Sequence, residues 1–204
     1  VVQTDKLQFV LMFSGFAILL FYLTRNSIPI TELHTHLDAK HKSLSGGMNW
    51  QQLTVWFLIA SWTFIDPGFH QRCAAAGSPA VAKKGILISI GFWFVFDMLT
   101  LITGLYAFAL YPEIESLTIY PYLAQEFLPP FLQGLFFTGL LAIIMSTIDS
   151  FTFLSAITFG RDIVWRYKNS GDVNRSVRLG LLLTAALSIT LIFLFPSVID
   201  MWYN

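Results

Sequence analysis

One cysteine, Cys73, occurs in 204 residues. A single thiol excludes an intramolecular disulfide framework, and Cys73 lacks the partners a zinc site needs. Charge is scarce as well: twelve basic and twelve acidic residues make up 12% of the chain and cancel to a net charge of zero. Without an excess of positive charge there is no electrostatic footprint for nucleic acid. No signal peptide opens the sequence, which starts at Val1 and stops inside PSVIDMWYN. We read it as a fragment of a longer protein, a single transmembrane domain over 1–204 in which 196–204 begins a further helix. What the chain does have is apolar: 55% hydrophobic residues, twenty Phe, six Trp and a mean hydropathy of +0.66. Those values belong to an integral, multi-pass membrane protein whose first partner is the lipid bilayer.

Five stretches are long enough, or nearly so, to cross a bilayer as helices: 7–23, 50–68, 85–111, 131–159 and 179–195. The predicted class is all-α. Lys6, Arg72, Lys83, Lys84, Arg161, Arg166, Lys168, Arg175 and Arg178 fall on one side of these spans, and only Arg25, Lys40 and Lys42 on the other. The positive-inside rule makes the first group cytoplasmic. The connection EIESLTIYPYLAQE, 113–126, is predicted to pack as a short amphipathic cap. The second stretch ends in IDPGFHQR, where Pro67 and Gly68 are expected to interrupt helical hydrogen bonding near membrane depth. Transporters use such breaks at binding sites.

The fourth stretch reads GLFFTGLLAIIMSTIDSFTFLSAITF from Gly134 to Phe159 and places Ser146, Thr147, Asp149 and Ser150 inside an apolar run. A carboxylate at bilayer depth costs about 2.5 to 3.5 kcal/mol on insertion scales, which makes Asp149 a functional candidate. Spacings of three and four put Ser146, Asp149 and Ser150 on one helix face, with Thr147 about 100° away. Converging hard oxygens suit a small hard cation. The competing reading is that Ser and Thr bond back to their own helix or permit close helix packing, and that Asp149 is a structural acid.

Asp97, in GFWFVFDMLTLITG, is the other acid within a span. It either faces a cavity, where it meets a solute amine or a proton, or bonds a helix backbone and locks packing. His34, His36, Asp38 and His41 share one connection and are of the types zinc uses, though clustered histidines in an exposed loop are otherwise simply solvated. His70 and Arg72 are expected to anchor the interface or to pair with a neighbouring acid.

Three segments resemble the sodium:solute symporter family. VVQTDKLQFVLM is similar to its Thr-Asp followed three residues on by Gln; FIDPGFHQRCAAAGSPAVAKKGI to its Gln-Arg, Ala-rich, Lys-Gly connection; and GLLAIIMSTIDS with Arg161-Asp162-Ile163 to its sodium-site helix. The three occur in the family's order. The resemblance implies a leucine-transporter-like fold of two inverted five-helix repeats around a mid-membrane site. The five spans would be the last helix of the first repeat and the first four of the second, with the remaining N-terminal helices of the same protein completing the pocket.

By the same resemblance the coupling ion is Na+. The main site takes the Ser146 and Thr147 hydroxyls and the Ile143 carbonyl; a second site, present in some members, takes Asp5 and oxygens at the positions of Ser146 and Ser150, to which Asp149 adds a second carboxylate. Two nearby carboxylates raise cation affinity or force one to hold a proton. Ser61, Trp62, Trp93 and Asp97 fall where the family lines its pocket for a small solute. The implied function is sodium-coupled symport in a plasma or inner membrane, without enzymatic activity. Two alternatives are a transporter-like sensor module of a signalling protein, and an intramembrane aspartyl hydrolase using Asp97 and Asp149. The second lacks the Gly-x-Gly-Asp of presenilin-like proteases, since Asp149 follows Ser-Thr-Ile and Asp97 follows Phe-Val-Phe.

Overall fold

In a medium without water every peptide group has to find its partner inside the chain, and long apolar runs meet that demand as helices. A computed structural model describes residues 2–168 and 172–194, among which all regular elements are helical. In order these are α1 (Val2–Asn26), α2 (Trp50–Ala60), α3 (Pro67–Ala74), α4 (Pro79–Leu110), α5 (Ile119–Phe127), α6 (Pro130–Ile157), the short α7 (Arg166–Lys168) and α8 (Val173–Leu194). Single 3-10 turns occupy Leu33–His36 and Ser61–Phe64, and a π-helical segment, Thr158–Trp165, continues α6. Among the described residues, four stretches are long and apolar enough to cross a membrane: Thr4–Asn26, Pro79–Leu110, Pro130–Trp165 and Val173–Leu194. The helix expected to begin at 196–204 lies outside the described residues.

Polar residues set the helix ends. Asn49 and Gln52 form a reciprocal capping box at α2, each side chain accepting the other's backbone N–H at 2.9 and 3.0 Å. Ser78 accepts from the Val81 N–H at 3.3 Å, with Pro79 in the first turn of α4, where its missing N–H costs nothing. Asp172 accepts from the Asn174 N–H at 2.9 Å and starts α8 ahead of its apolar run.

The chain divides into two compact units, Val1–Ile144 and Met145–Asn204, so that α6 contributes to both. In the first, α1 and α4 are joined by aromatic side chains at helical spacing. Phe9 and Phe13 meet Phe92 edge-on at 5.0 and 5.9 Å, and Phe13 and Phe16 meet Phe96 at 5.3 and 5.4 Å. Phe16 also touches Tyr120 of α5 and Phe136 of α6, both at 5.3 Å. Tyr106, Leu19, Leu23 and Leu123 are fully buried around this centre. A Cβ on Gly139 would stand 3.0 Å from the Leu11 carbonyl oxygen, so glycine lets α6 lie this close to α1 without a shift of the backbones. The 113–126 connection does fold as an amphipathic cap, with Ile119, Leu123 and Ala124 of α5 buried.

In the second unit, backbones touch. A Cβ on Gly160 would strike the carbonyl oxygen of Ser176, and one on Gly180 would lie 2.5 Å from that of Ala156. Small residues at helix crossings let dispersion act over the whole contact, which is how helices associate in lipid.

The second expected span, 50–68, is not one helix. α2 ends at Ala60, a 3-10 turn follows, and α3 starts at Pro67. Pro67 and Gly68 open a helix instead of interrupting one; the break lies just before them, at 61–66.

Candidate functional site

α6 runs without interruption through the oxygen cluster, so the spacing argument holds and Ser146, Asp149 and Ser150 share a face. Ile143 and Ser146 are half-buried, whereas Thr147, Asp149 and Ser150 are exposed on this chain. Ile143 packs against the core of the first unit.

Several other span hydroxyls bond back to their own helix. Ser14 donates to the Val10 carbonyl at 2.7 Å, Thr24 to Phe21 at 2.8 Å, Thr103 to Leu99 at 2.7 Å, Thr138 to Gly134 at 2.7 Å and Thr190 to Ala186 at 2.9 Å. Among the described residues, the hydroxyls of Ser146 and Ser150 and the carboxylate of Asp149 make no such bond, which leaves three groups with oxygens to offer on one face.

Asp5 lies in the first turns of α1, exposed and next to Lys6. It belongs to the first unit and Ser146 to Ser150 to the second. One group that sequence reasoning passed over is Gln8, whose Oε1 is buried without a hydrogen-bond partner among the described residues. It lies three residues after Asp5 and therefore on the same face of α1. The signal was already present, since Gln8 is the Gln of the Thr-Asp motif.

Of the expected solute-lining residues, Ser61 opens the 3-10 turn and donates to the Phe57 carbonyl at 3.2 Å, and Trp62 beside it is exposed. On α4, Trp93 and Asp97 are one turn apart and both exposed. The structure brings Phe69 of α3 to Trp93, ring centroids 6.1 Å apart. His70 turns its Nε2 to the Phe64 carbonyl at 2.8 Å, so the partner found is a backbone oxygen, where a neighbouring acid was one of the two expectations.

The histidine-bearing connection holds a local turn. Asp38 accepts from the His41 backbone N–H at 2.9 Å and from its Nδ1 at 2.5 Å, and these two bonds, the backbone one first, hold the Asp38 carboxyl below its ordinary pKa. The His41 ring stacks on Phe108 at 3.9 Å, and His34 bonds the Thr31 carbonyl at 3.0 Å. No group of three His, Cys, Asp or Glu side chains that could hold a metal occurs among the described residues.

Residues 1–201 match the model of the sodium:solute symporter family. The chain belongs to that family. No curated protein and no solved structure matches it. This is an integral membrane protein of a family that couples solute transport to sodium. Neither the hydrolase nor the sensor reading gains support from the match.

Proposed function

We propose that this chain is part of a sodium-coupled symporter for a small solute, working in a plasma or inner membrane and catalysing no chemical reaction. Its main sodium site uses the Ser146 and Thr147 hydroxyls and the Ile143 carbonyl, and a second site uses Asp5, Asp149 and Ser150. The remaining ligands come from first-repeat helices of the full protein, in a leucine-transporter-like arrangement. The segment 50–74 crosses as a broken fifth span, and Ser61, Trp62, Trp93 and Asp97 line the path of the solute. The observation that carries this reading is on α6, where Ser146, Asp149 and Ser150 share one face and leave their oxygens unspent, while several other span hydroxyls, among them Thr103 and Thr138, are tied to their own helix.

A sodium ion held there favours the solute-accepting state by its differential affinity for that state. Removing one oxygen should weaken binding at least about tenfold, or roughly 1.4 kcal/mol. In the full-length protein, Ser146→Ala or Thr147→Ala should therefore raise the sodium concentration for half-maximal uptake by that factor at unchanged surface expression, with Ser155→Ala as an inert control. Asp5→Asn should weaken coupling, and Asp149→Asn should alter the pH dependence of uptake. Intact sodium dependence after loss of both hydroxyls would hand these residues to the packing reading.

A further inference from the structure

The break at 61–66 leaves backbone groups that a helix would have satisfied, and the residues after it take them up. Asp66 caps α3, its Oδ1 accepting from the Gly68 N–H at 2.7 Å and the Phe69 N–H at 3.2 Å. A Cβ on Gly68 would stand 2.9 Å from the same Oδ1, the mobile end of the Asp66 side chain. On the other side of the break the Phe64 carbonyl, at the end of the 3-10 turn, receives His70 Nε2 at 2.8 Å. A carbonyl only accepts, so Nε2 carries the proton and donates. One bond thus reaches forward from the break into α3 and the other back from α3 across it. Phe69 lies between the two and meets Trp93 edge-on at 6.1 Å, one turn from Asp97.

We infer that Asp66 and His70 are positioning residues that clasp the two sides of the break and fix its bend, so that α3 presents Phe69 to Trp93. The bearing of this on transport rests on the symport reading above, but the clasp itself does not. Both the neutral Nε2–H tautomer and the imidazolium donate from Nε2, so the clasp holds whichever form His70 takes.

Cys73, half-buried on α3 and three residues after His70, is a built-in reporter. In full-length protein with Cys73 as the sole thiol, its rate of maleimide modification is measured without sodium or solute. His70→Leu and Asp66→Ala should each raise that rate about fivefold, the order expected for losing a helix cap. Two conservative variants should restore it. His70→Gln carries an N–H the same number of bonds from Cα as Nε2, and Asp66→Asn keeps an acceptor oxygen. His70→Asn, one bond short, should behave like His70→Leu. Wild-type rates in the Leu and Ala variants, or a Gln variant that labels like Leu, overturn the clasp. Because the assay contains no sodium, it reads the clasp even where the sodium site fails its own test.

Discussion

Polar groups in this protein fall into two kinds, and the packed end of the first unit and the middle of α6 show them side by side. Around Phe16 every polar side chain is committed: Tyr106 donates to the Ile28 carbonyl at 2.9 Å, Tyr120 to the Thr100 carbonyl at 3.1 Å, and Thr103, fully buried, to Leu99. On α6, Ser146 is half-buried and Asp149 and Ser150 are exposed on this chain, and none of the three makes such a bond among the described residues. Burial of a polar group is tolerated only with a partner. The first set therefore finds its partners within the chain, whereas the second, not buried on this chain, is under no such demand. Carboxylates divide the same way. Asp38 and Asp66 are bonded to N–H donors in connections, and Asp97 and Asp149 stand on span helices without such bonds among the described residues.

The comparison breaks first where its packing is removed. Phe136 is almost fully buried and meets Phe16 at 5.3 Å. Phe136→Ala should destabilise the protein by about 3 kcal/mol, the low end of the usual range, because helices in lipid lose dispersion contacts without the transfer term they would lose in water. Unfolding in detergent checks this. A loss below about 1 kcal/mol would mean that the aromatic centre does not hold the unit together.

A finer cut compares hydroxyls. Tyr106→Phe deletes one bond and strands the Ile28 carbonyl, and should cost about 1 kcal/mol. Ser150→Ala deletes a hydroxyl with no such bond and should change stability by less than about 0.5 kcal/mol, as uncommitted positions do. Equal losses in the two variants would erase the distinction between structural and uncommitted groups.

How much of this was legible in the sequence follows the same line. The long apolar stretches marked α1, α4, α6 and α8, because hydrophobic length is a local property; the helices then run past the apolar ends, from Val2 and from Val173, wherever polar residues can satisfy a backbone. The α6 cluster was legible for the same reason, as helical spacing is set by numbering alone. The break in the second stretch was placed a few residues late. Pro67 reads as a breaker in a string of letters, but at the first turn of a helix its missing N–H is harmless, and Asp66 before it makes that start. Partners far apart in sequence stayed hidden. Nothing local joins Tyr106 to Ile28 across 78 positions, or picks Phe92 and Phe96 from twenty Phe as the ones that meet α1.

The smallest effect expected is at Asp38, the committed carboxylate that lies in a connection and not in a span. Its pKa is lowered, chiefly by the His41 backbone N–H and then by the His41 ring, with Lys40 adding a little. A depressed folded-state pKa gives a contribution that is present above the ordinary carboxylate value and is lost as pH falls through the lowered one. The turn should therefore hold at neutral and mildly acidic pH and loosen only below the usual carboxylate range. Because Asp38 is fully exposed, water screens the interaction and the effect stays local. Hydrogen exchange at the His41 amide, expressed as protection relative to its intrinsic rate, is the measurement. Protection should be flat from neutral pH down to the carboxylate range and fall beneath it. Asp38→Asn keeps an oxygen for the His41 N–H but has nothing to titrate, so its protection should stay flat throughout. A fall in the wild type that Asp38→Asn reproduces would take Asp38 out of the committed set.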